Sequence, residues 1–286
     1  MNEVVCEAEQ IIQANREFYK QIAGKYDRYE TCVTDAAYQQ GLENDLDNIA
    51  AAFAARGVLP ECLDCGGGTG NLALKLLKRN CNVTVVDVSP DMLAILESKT
   101  AAAGYQAEIV HDSLEHFFST CKKQFDFIGF YSVLHHLHSP SDILLQAIRH
   151  VAPGGFLYTN CDPAPPRWPQ AANWVCSLDT LFTKIARDPN DLLPGALRRL
   201  RKNFSRANPE HCRPICSPGD LAEYHAYTGV DDFALMRVLW REGFQVHHAR
   251  YPIGRTGVAR WLNRRAKLFF NFKIVARRPT PHPASA

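Results

Sequence analysis

The 286-residue chain has no run approaching the ~18 consecutive apolar residues of a membrane-spanning helix. A protein built of membrane-spanning helices is thereby excluded. The opening Met1-Asn2-Glu3-Val4-Val5-Cys6-Glu7 is acidic and has no apolar core of signal-peptide length. The expectation is a cytoplasmic protein. The net charge is only +2 at pH 7, which says little about partners; its distribution says more. No recognisable RNA- or DNA-binding module is present, and nucleic acid is not an expected partner. No internal repeat is found. The composition, 46% hydrophobic and 22% charged, is that of an ordinary globular chain.

Cysteine is not scarce. The ten thiols stand at positions 6, 32, 62, 65, 81, 121, 161, 176, 212 and 216. Without an export signal, free thiols are the expected state. Cys62 and Cys65 have C-x-x-C spacing but flank Asp64 on a strand, which commits their side chains to a sheet. His211, Cys212 and Cys216 lie in a loop and suit a soft ion, yet no second cysteine pair completes a zinc set. No metal is expected.

Strand-like and helical patterns alternate through most of the chain. Helices are expected over 3–29, 41–56 and 71–79. Further helices open at Ser89-Pro90-Asp91 and at Ser139-Pro140-Ser141-Asp142, the latter running to about residue 151. Strands are expected at 62–65, 82–86, 107–110, 125–130 and 156–160, with a turn at Pro153-Gly154-Gly155 before the last. Apolar strands alternating with helices mean a parallel sheet covered on both faces. The alternation breaks over 162–230, where two helices (about 170–186 and 191–203) and a proline-rich segment (209–218) are expected. It resumes with a helix over 232–242 and strands near 244–251 and 268–276. Residues 279–286 read as a disordered tail. The division is thus a helical cap (1–57), an α/β core (58–161 and 231–278) and an inserted helical lid (162–230) after the fifth strand.

The first strand runs into Leu63-Asp64-Cys65-Gly66-Gly67-Gly68-Thr69-Gly70. A glycine-rich turn between strand and helix is a cofactor site in open parallel sheets. A dinucleotide loop requires G-x-G-x-x-G, but the sixth position from Gly66 is Asn71. No Gly-Lys-Ser/Thr follows, so a phosphate-binding Walker loop is excluded. The frame is G-x-G-x-G with Asp64 two residues ahead, which favours a ligand without pyrophosphate.

These residues resemble the first motif of the class I (Rossmann-like) S-adenosylmethionine-dependent methyltransferases. Asp87 at the end of the second strand, Asp112-Ser113-Leu114 after the third, and Leu134-His135-His136-Leu137 after the fourth follow in that family's order. So does Val151-Ala152-Pro153-Gly154-Gly155 before the fifth. The resemblance implies a seven-stranded, mostly parallel sheet with helices on both faces and an antiparallel last strand. It implies S-adenosylmethionine as cofactor. Asp64, Gly66, Gly68 and Gly70 would face its methionine end, Asp87 its ribose, and Asp112, Ser113 and Leu114 its adenine. Val88, Met92 and Tyr131 complete the implied contacts, and Tyr26, with Tyr19, would cover them.

Methyl transfer asks little of side chains, because the cofactor carries the activated methyl group. A hydroxyl acceptor gains from a general base, and histidine suits that task. Tyr131, His135 and His136 are the catalytic candidates. His135 is the first choice, against the alternative of a satisfied loop histidine, while His136 reads more readily as structural. His211, His225 and Tyr227 are rivals from the insertion. The implied activity resembles that of quinone-biosynthesis and natural-product methyltransferases, with a small-molecule or lipid-linked acceptor. Trp168, Trp174, Phe182 and Tyr224 would line its pocket or form the lid's own core. No Asn/Asp-Pro-Pro-Tyr/Phe sequence of the amino-methylating nucleic-acid enzymes follows the fourth strand. The alternative is a non-catalytic scaffold that binds the same cofactor.

Two basic clusters remain. One is Arg198, Arg199, Arg201, Lys202 and Arg206. The other spans 255–278, which contains no acidic residue. With Trp261, Leu262, Leu268 and Phe269 interleaved, it suits peripheral contact with anionic lipid as well as a merely solvated face. The oligomeric state is not readable.

Overall fold

The strand that carries the chain into the glycine loop, β1 (Glu61–Cys65), lies inside a seven-stranded sheet. A computed structural model describes residues 2–54, 57–165, 221–226, 228–252, 257–266 and 269–280. After β1 come β2 (Asn82–Asp87), β3 (Glu108–His111), β4 (Phe125–Tyr131), β5 (Val151–Pro163), β6 (Gln245–Tyr251) and β7 (Asn271–Arg277). Their spatial order is β3-β2-β1-β4-β5-β7-β6. The first five strands run parallel, and β7 is antiparallel to both β5 and β6. The seven-stranded, mostly parallel sheet expected from the sequence is the one observed. Order reverses between β1 and β4, and the crevice at the carboxyl ends of strands at such a point is where open α/β sheets bind ligands.

Helices α1 (Asn2–Tyr29), α2 (Thr31–Thr34), α3 (Ala36–Phe53), α4 (Ala73–Lys78), α5 (Pro90–Ala103), α6 (Leu114–Thr120), α7 (Pro140–Arg149), α8 (Asp232–Arg241) and α9 (Gly257–Arg265) surround it. Each sheet face buries its own apolar layer. On one, Leu63, Ile128, Phe130 and Leu157 meet Phe117 of α6, Leu144 of α7 and Leu239 of α8. On the other, Cys62, Val85, Phe127 and Tyr158 meet Leu46 of α3, Leu76 of α4 and Leu96 of α5. Burying a Leu or Phe side chain in such a layer contributes about 1.5–3 kcal/mol.

The N-terminal helices are bolted on by charge as well as packing. Arg79, following α4, reaches Glu43 and Asp47 of α3 at 2.5 and 2.6 Å. Asp45 accepts from Lys273 of β7 at 2.7 Å and from the Tyr158 hydroxyl of β5 at 2.9 Å.

Element boundaries differ from expectation where caps intervene. The helix expected over 41–56 begins at Ala36, because Asp35 caps it by accepting from the Ala37 and Tyr38 N–H groups. Ser89 caps α5 as expected, accepting from Met92 N–H, and left-handed Gly104 ends that helix. The Ser139 side chain accepts from no backbone N–H of its helix; its hydroxyl donates instead to the Asp142 carboxylate at 2.7 Å. A helix over 257–265 was not expected in the basic segment.

β5 is the largest difference. It starts at Val151 and absorbs the expected Pro153-Gly154-Gly155 turn as an irregularity. Its pairing with β4 jumps from Phe125↔Val151 to Phe127↔Phe156. Gly154, at φ +75°, donates to Arg278 O. A Cβ on Gly155 would stand 2.8 Å from the carbonyl oxygens of Ala152 and Asp126. A second irregularity follows at Cys161, at φ +67°, where the pairing with β7 slips between Asn160 and Asp162.

Residues 166–220 lie outside the described residues. The expected lid helices, the proline-rich segment, the Arg198–Arg206 cluster, Trp168, Trp174, Phe182, His211, Cys212 and Cys216 fall there. Tyr227, Arg255, Lys267 and tail residues 281–286 also fall outside. Among the described residues, no helix is long and apolar enough to cross a membrane.

Candidate active site

β1, β2 and β3 end side by side, and each delivers a carboxylate to one cleft: Asp64, Asp87 and Asp112. The cleft holds about 970 Å³ of empty space, its open mouth included.

The glycine loop forms the floor. Gly66, Gly68 and Gly70 adopt φ of +64°, +51° and +89°, which side chains other than glycine rarely adopt. A Cβ on Gly66 would also fall 2.7 Å from a Val133 methyl. The turn is pinned by Gly66 N–H to Val86 O at 2.7 Å and by Gly68 N–H to Asp87 Oδ2 at 2.8 Å.

Asp64 is almost wholly buried, and its Oδ2 accepts from Ala73 N–H at 2.9 Å. Burial pushes its pKa up to about 8; the Ala73 N–H opposes this and the nearby Asp87 adds to it. Asp87 accepts from Gly68 N–H on one oxygen and from Ser89 N–H on the other, each at 2.8 Å. Its pKa is also raised, by burial against these backbone donors. Each Asp87 oxygen keeps a second lone pair for a ligand. Asp112 accepts from Ser113 N–H at 2.8 Å and lies 2.6 Å from His116 Nδ1.

Helix α1 forms the facing wall through Ala8, Ile11, Asn15, Tyr19 and Tyr26. It is latched to the floor: the Thr69 hydroxyl donates to Asp27 at 2.6 Å, and Lys99 of α5 bonds both Asp27 and Thr69 O. Arg16 Nε donates to Val88 O at 3.1 Å. Two buried polar atoms of the lining, Asn15 Oδ1 and Asn71 Nδ2, have no hydrogen-bond partner among the described residues.

Of the residues singled out from sequence, Tyr26, Asp64, Gly66, Gly68, Asp87, Val88, Met92, Asp112, Leu114, Tyr131 and His136 line this cleft. Gly70, Ser113 and His135 do not. Gly70 donates to Gly67 O within the turn, and Ser113 caps α6. The Tyr131 ring lines the cleft while its hydroxyl donates to Cys32 O at 3.1 Å, and burial raises its pKa. His225 lies outside the lining, its Nε2 3.3 Å from His138 O. Asn15, Asn71 and the Thr69–Asp27 latch carry no motif in the sequence. A helical stripe at 8, 11, 12, 15 and 19 was the available signal for the first.

The two histidines after β4 have separate roles. His136 faces the cleft. Its Nδ1 lies 2.7 Å from Ala222 O, a partner that can only accept, so this nitrogen carries the hydrogen. Its Nε2 then accepts from the Tyr19 hydroxyl at 2.8 Å. Burial, then the neighbouring His135, depresses its pKa to about 4. His135 is buried behind it, with ring centroids 3.9 Å apart. Its Nδ1 is 2.7 Å from Oδ1 of fully buried Asp162, which also accepts its backbone N–H. Burial lowers the His135 pKa, but Asp162 outweighs it and the net direction is upward. Ser132, at φ +62°, turns the chain between β4 and this pair.

Comparison with known proteins bears on this geometry. Residues 62–155, from β1 into β5, match the model of a methyltransferase domain. The tRNA 5-carboxymethoxyuridine methyltransferase of Escherichia coli is 28% identical over 142 residues, 49% of this chain and 54% of that protein. A ubiquinone biosynthesis O-methyltransferase of Pseudomonas putida is 30% identical over 108 residues, 38% of this chain and 45% of that protein. The chain thus spans about half the length of the curated relatives it matches. Among solved structures, magnesium protoporphyrin IX methyltransferase from Synechocystis with bound S-adenosylhomocysteine superposes with a TM-score of 0.55. It is 14% identical over 94% of this chain and 99% of that one. A plantazolicin methyltransferase superposes with a TM-score of 0.56, at 14% identity over 97% and 98% of the two chains. At that identity the likeness is one of fold.

Proposed function

We propose that this chain, which carries a methyltransferase domain of the class I (Rossmann-like) type, transfers a methyl group from S-adenosylmethionine to a small-molecule or lipid-linked acceptor. The observation that carries the reading is the convergence of Asp64, Asp87 and Asp112 on one glycine-loop cleft.

The donor set fits that cofactor. Asp64 suits its ammonium. The remaining lone pairs of Asp87 suit a ribose diol. Val88, Met92, Asp112 and Leu114 bound the adenine end, and Tyr26 and Tyr19 close over the ligand. When bound, S-adenosylmethionine supplies a methyl group already activated by its sulfonium. The chain's own task is then to align the acceptor and exclude water. Tyr19, Tyr131, Ser132 and His136 border the space for the acceptor, beyond Asp64. His135, anchored to Asp162 outside the cleft lining, supports His136 from behind. In this reading 58–161 and 231–278 form the catalytic core, 1–57 its cap, and 162–230 the lid over the acceptor.

Calorimetry with S-adenosylhomocysteine, on the parent chain and on Asp87→Ala, tests the cofactor. Binding is expected in the micromolar range, with a loss of about tenfold or more in the variant. No binding by the parent would overturn the proposal. Transfer of a labelled methyl group to quinone-like phenols, lipid extracts and tRNA then tests the acceptor class; tRNA belongs in the panel because the Escherichia coli relative is named for it. Tight binding without transfer to any of them points to the scaffold reading instead.

A further inference from the structure

We propose that His135, His136 and Glu223 form a binding site for a divalent transition-metal ion that opens onto the acceptor side of the cleft. One donor atom from each of the three lies within 4.8 Å of the other two. Two side chains come from the loop after β4. The third comes from residues 221–226, the described stretch at the far end of the insertion.

The hydrogen bonds already made decide which atoms remain to bind. On His135, Nδ1 is taken by Asp162, so Nε2 presents its lone pair. That nitrogen faces Glu223 Oε2 at 3.8 Å. The separation is too long for a hydrogen bond. It suits two ligands of one ion, since donors held ~2.0–2.2 Å from a shared metal stand about 3–4 Å apart. On His136, Nδ1 donates to Ala222 O, and the Nε2 lone pair accepts from the Tyr19 hydroxyl, which an ion bound at Nε2 would displace. A metal-binding histidine typically donates its other ring N–H to a carboxylate or a backbone carbonyl, which fixes the ring and raises its basicity. Both partners are present here, one on each histidine. Asp162 is fully buried and held by Thr159, so its orientation of His135 is rigid.

Two imidazoles and one carboxylate favour zinc, iron(II), cobalt or nickel over magnesium or calcium. Three protein ligands leave a position open, as in catalytic rather than structural sites. Of the three ligands His136 lines the cleft, beside Tyr19, so the open position is assigned to that side. An ion in this position would take an oxygen of the acceptor and lower the pKa of a bound hydroxyl. That use rests on the methyl-transfer reading; the binding site does not.

The full chain, stripped with chelator and dialysed, tests it. Titration with zinc chloride in a calorimeter is expected to give one ion per chain with micromolar or tighter affinity. Cobalt(II) is expected to give visible d–d bands without the near-ultraviolet band of a thiolate ligand. Glu223→Gln and His136→Asn are each expected to weaken zinc binding about tenfold or more, while Cys212→Ser with Cys216→Ser leaves it unchanged. S-adenosylhomocysteine binding by Glu223→Gln checks that the variant is folded. Absence of zinc and cobalt binding overturns the site, as does undiminished binding in a folded Glu223→Gln variant or a thiolate band with cobalt. If S-adenosylhomocysteine still binds the parent chain, those outcomes leave the methyl-transfer reading standing.

Discussion

Thr69 donates its hydroxyl to Asp27 at 2.6 Å, tying the glycine loop to the last turn of α1. Thr69 is itself buried. The wall of the cleft and its floor are therefore one mechanical unit. A hydrogen bond to a charged group contributes about 1.5–3 kcal/mol. Thr69→Val keeps the shape and removes the bond. Affinity for S-adenosylhomocysteine is expected to fall about tenfold, and hydrogen exchange to rise in the second half of α1. Unchanged exchange there would show that packing alone holds the helix.

Asp64 gives the cleft a pH signature. Its folded-state pKa, about 8, lies above the ordinary carboxylate range because it is buried. Between the two values the folded chain binds more protons than the unfolded chain, so this group's contribution to stability falls as pH rises from about 4 to 8. A ligand ammonium beside it favours the ionised form. Ligand binding below pH 8 is thus expected to release a proton, seen as a buffer-dependent enthalpy in calorimetry. Asp64→Asn is expected to abolish that dependence and weaken binding. An enthalpy identical in phosphate and Tris at pH 7 would count against a protonated Asp64.

Much of this was legible in the sequence, and the reason is local. Three aspartates within one residue of the ends of adjacent parallel strands are fixed by strand boundaries alone, so Asp64, Asp87 and Asp112 could be placed together. Ser89-Pro90 set α5 by the same short-range logic. What the sequence did not carry were contacts made across long separations. The Thr69–Asp27 latch links residues 42 apart, and Tyr19 meets His136 from 117 residues away. The ranking of His135 over His136 depended on which ring turns to the cleft, and Asp162 and Ala222 decide that from distant elements. Metal ligands are legible in a sequence where cysteines or histidines stand at the short spacing of a motif. A set assembled from two loop histidines and Glu223 has no such spacing to find.

Asp232 is fully buried at the start of α8 and is bonded by Arg250 of β6 at 2.5 and 2.7 Å and by His248 at 2.6 Å. Burial raises its pKa, but Arg250 and His248 outweigh this and hold it below the ordinary value. Its contribution to stability is present above the unfolded pKa and is lost as pH falls through the folded one. Asp232→Ala leaves Arg250 without its buried partner and is expected to cost about 3–5 kcal/mol, read from urea unfolding at pH 7. The gap between parent and variant should narrow toward pH 3. A constant gap would mean that packing, not charge, sets the loss.

Val258, Trp261 and Leu262 are exposed on α9 beside Arg264 and Arg265. Arg265 stacks over Trp261, 5.5 Å from its ring centre. An apolar stripe flanked by cations suits the interface of an anionic bilayer. Sedimentation with phosphatidylglycerol-containing vesicles, but not with pure phosphatidylcholine, is expected and should be lost in Trp261→Ser with Leu262→Ser. Equal sedimentation of parent and variant would remove α9 from any membrane role.

The slip in β5 at Cys161 has a consequence of handedness rather than chemistry. Phe156, Tyr158 and Cys161 all pack into the layer beneath α3, α4 and α5, although strict alternation would send Cys161 to the opposite side. The extra residue inverts the parity of the strand. Asp162 thereby joins Thr159 and reaches His135. Replacing Cys161 by another residue alters its packing and its 3.5 Å contact with the Tyr251 hydroxyl but keeps the count, whereas deleting it would point the carboxylate away from the histidine without changing any functional side chain. The placement of His135, and of everything ordered behind His136, thus depends on a count of residues in one strand.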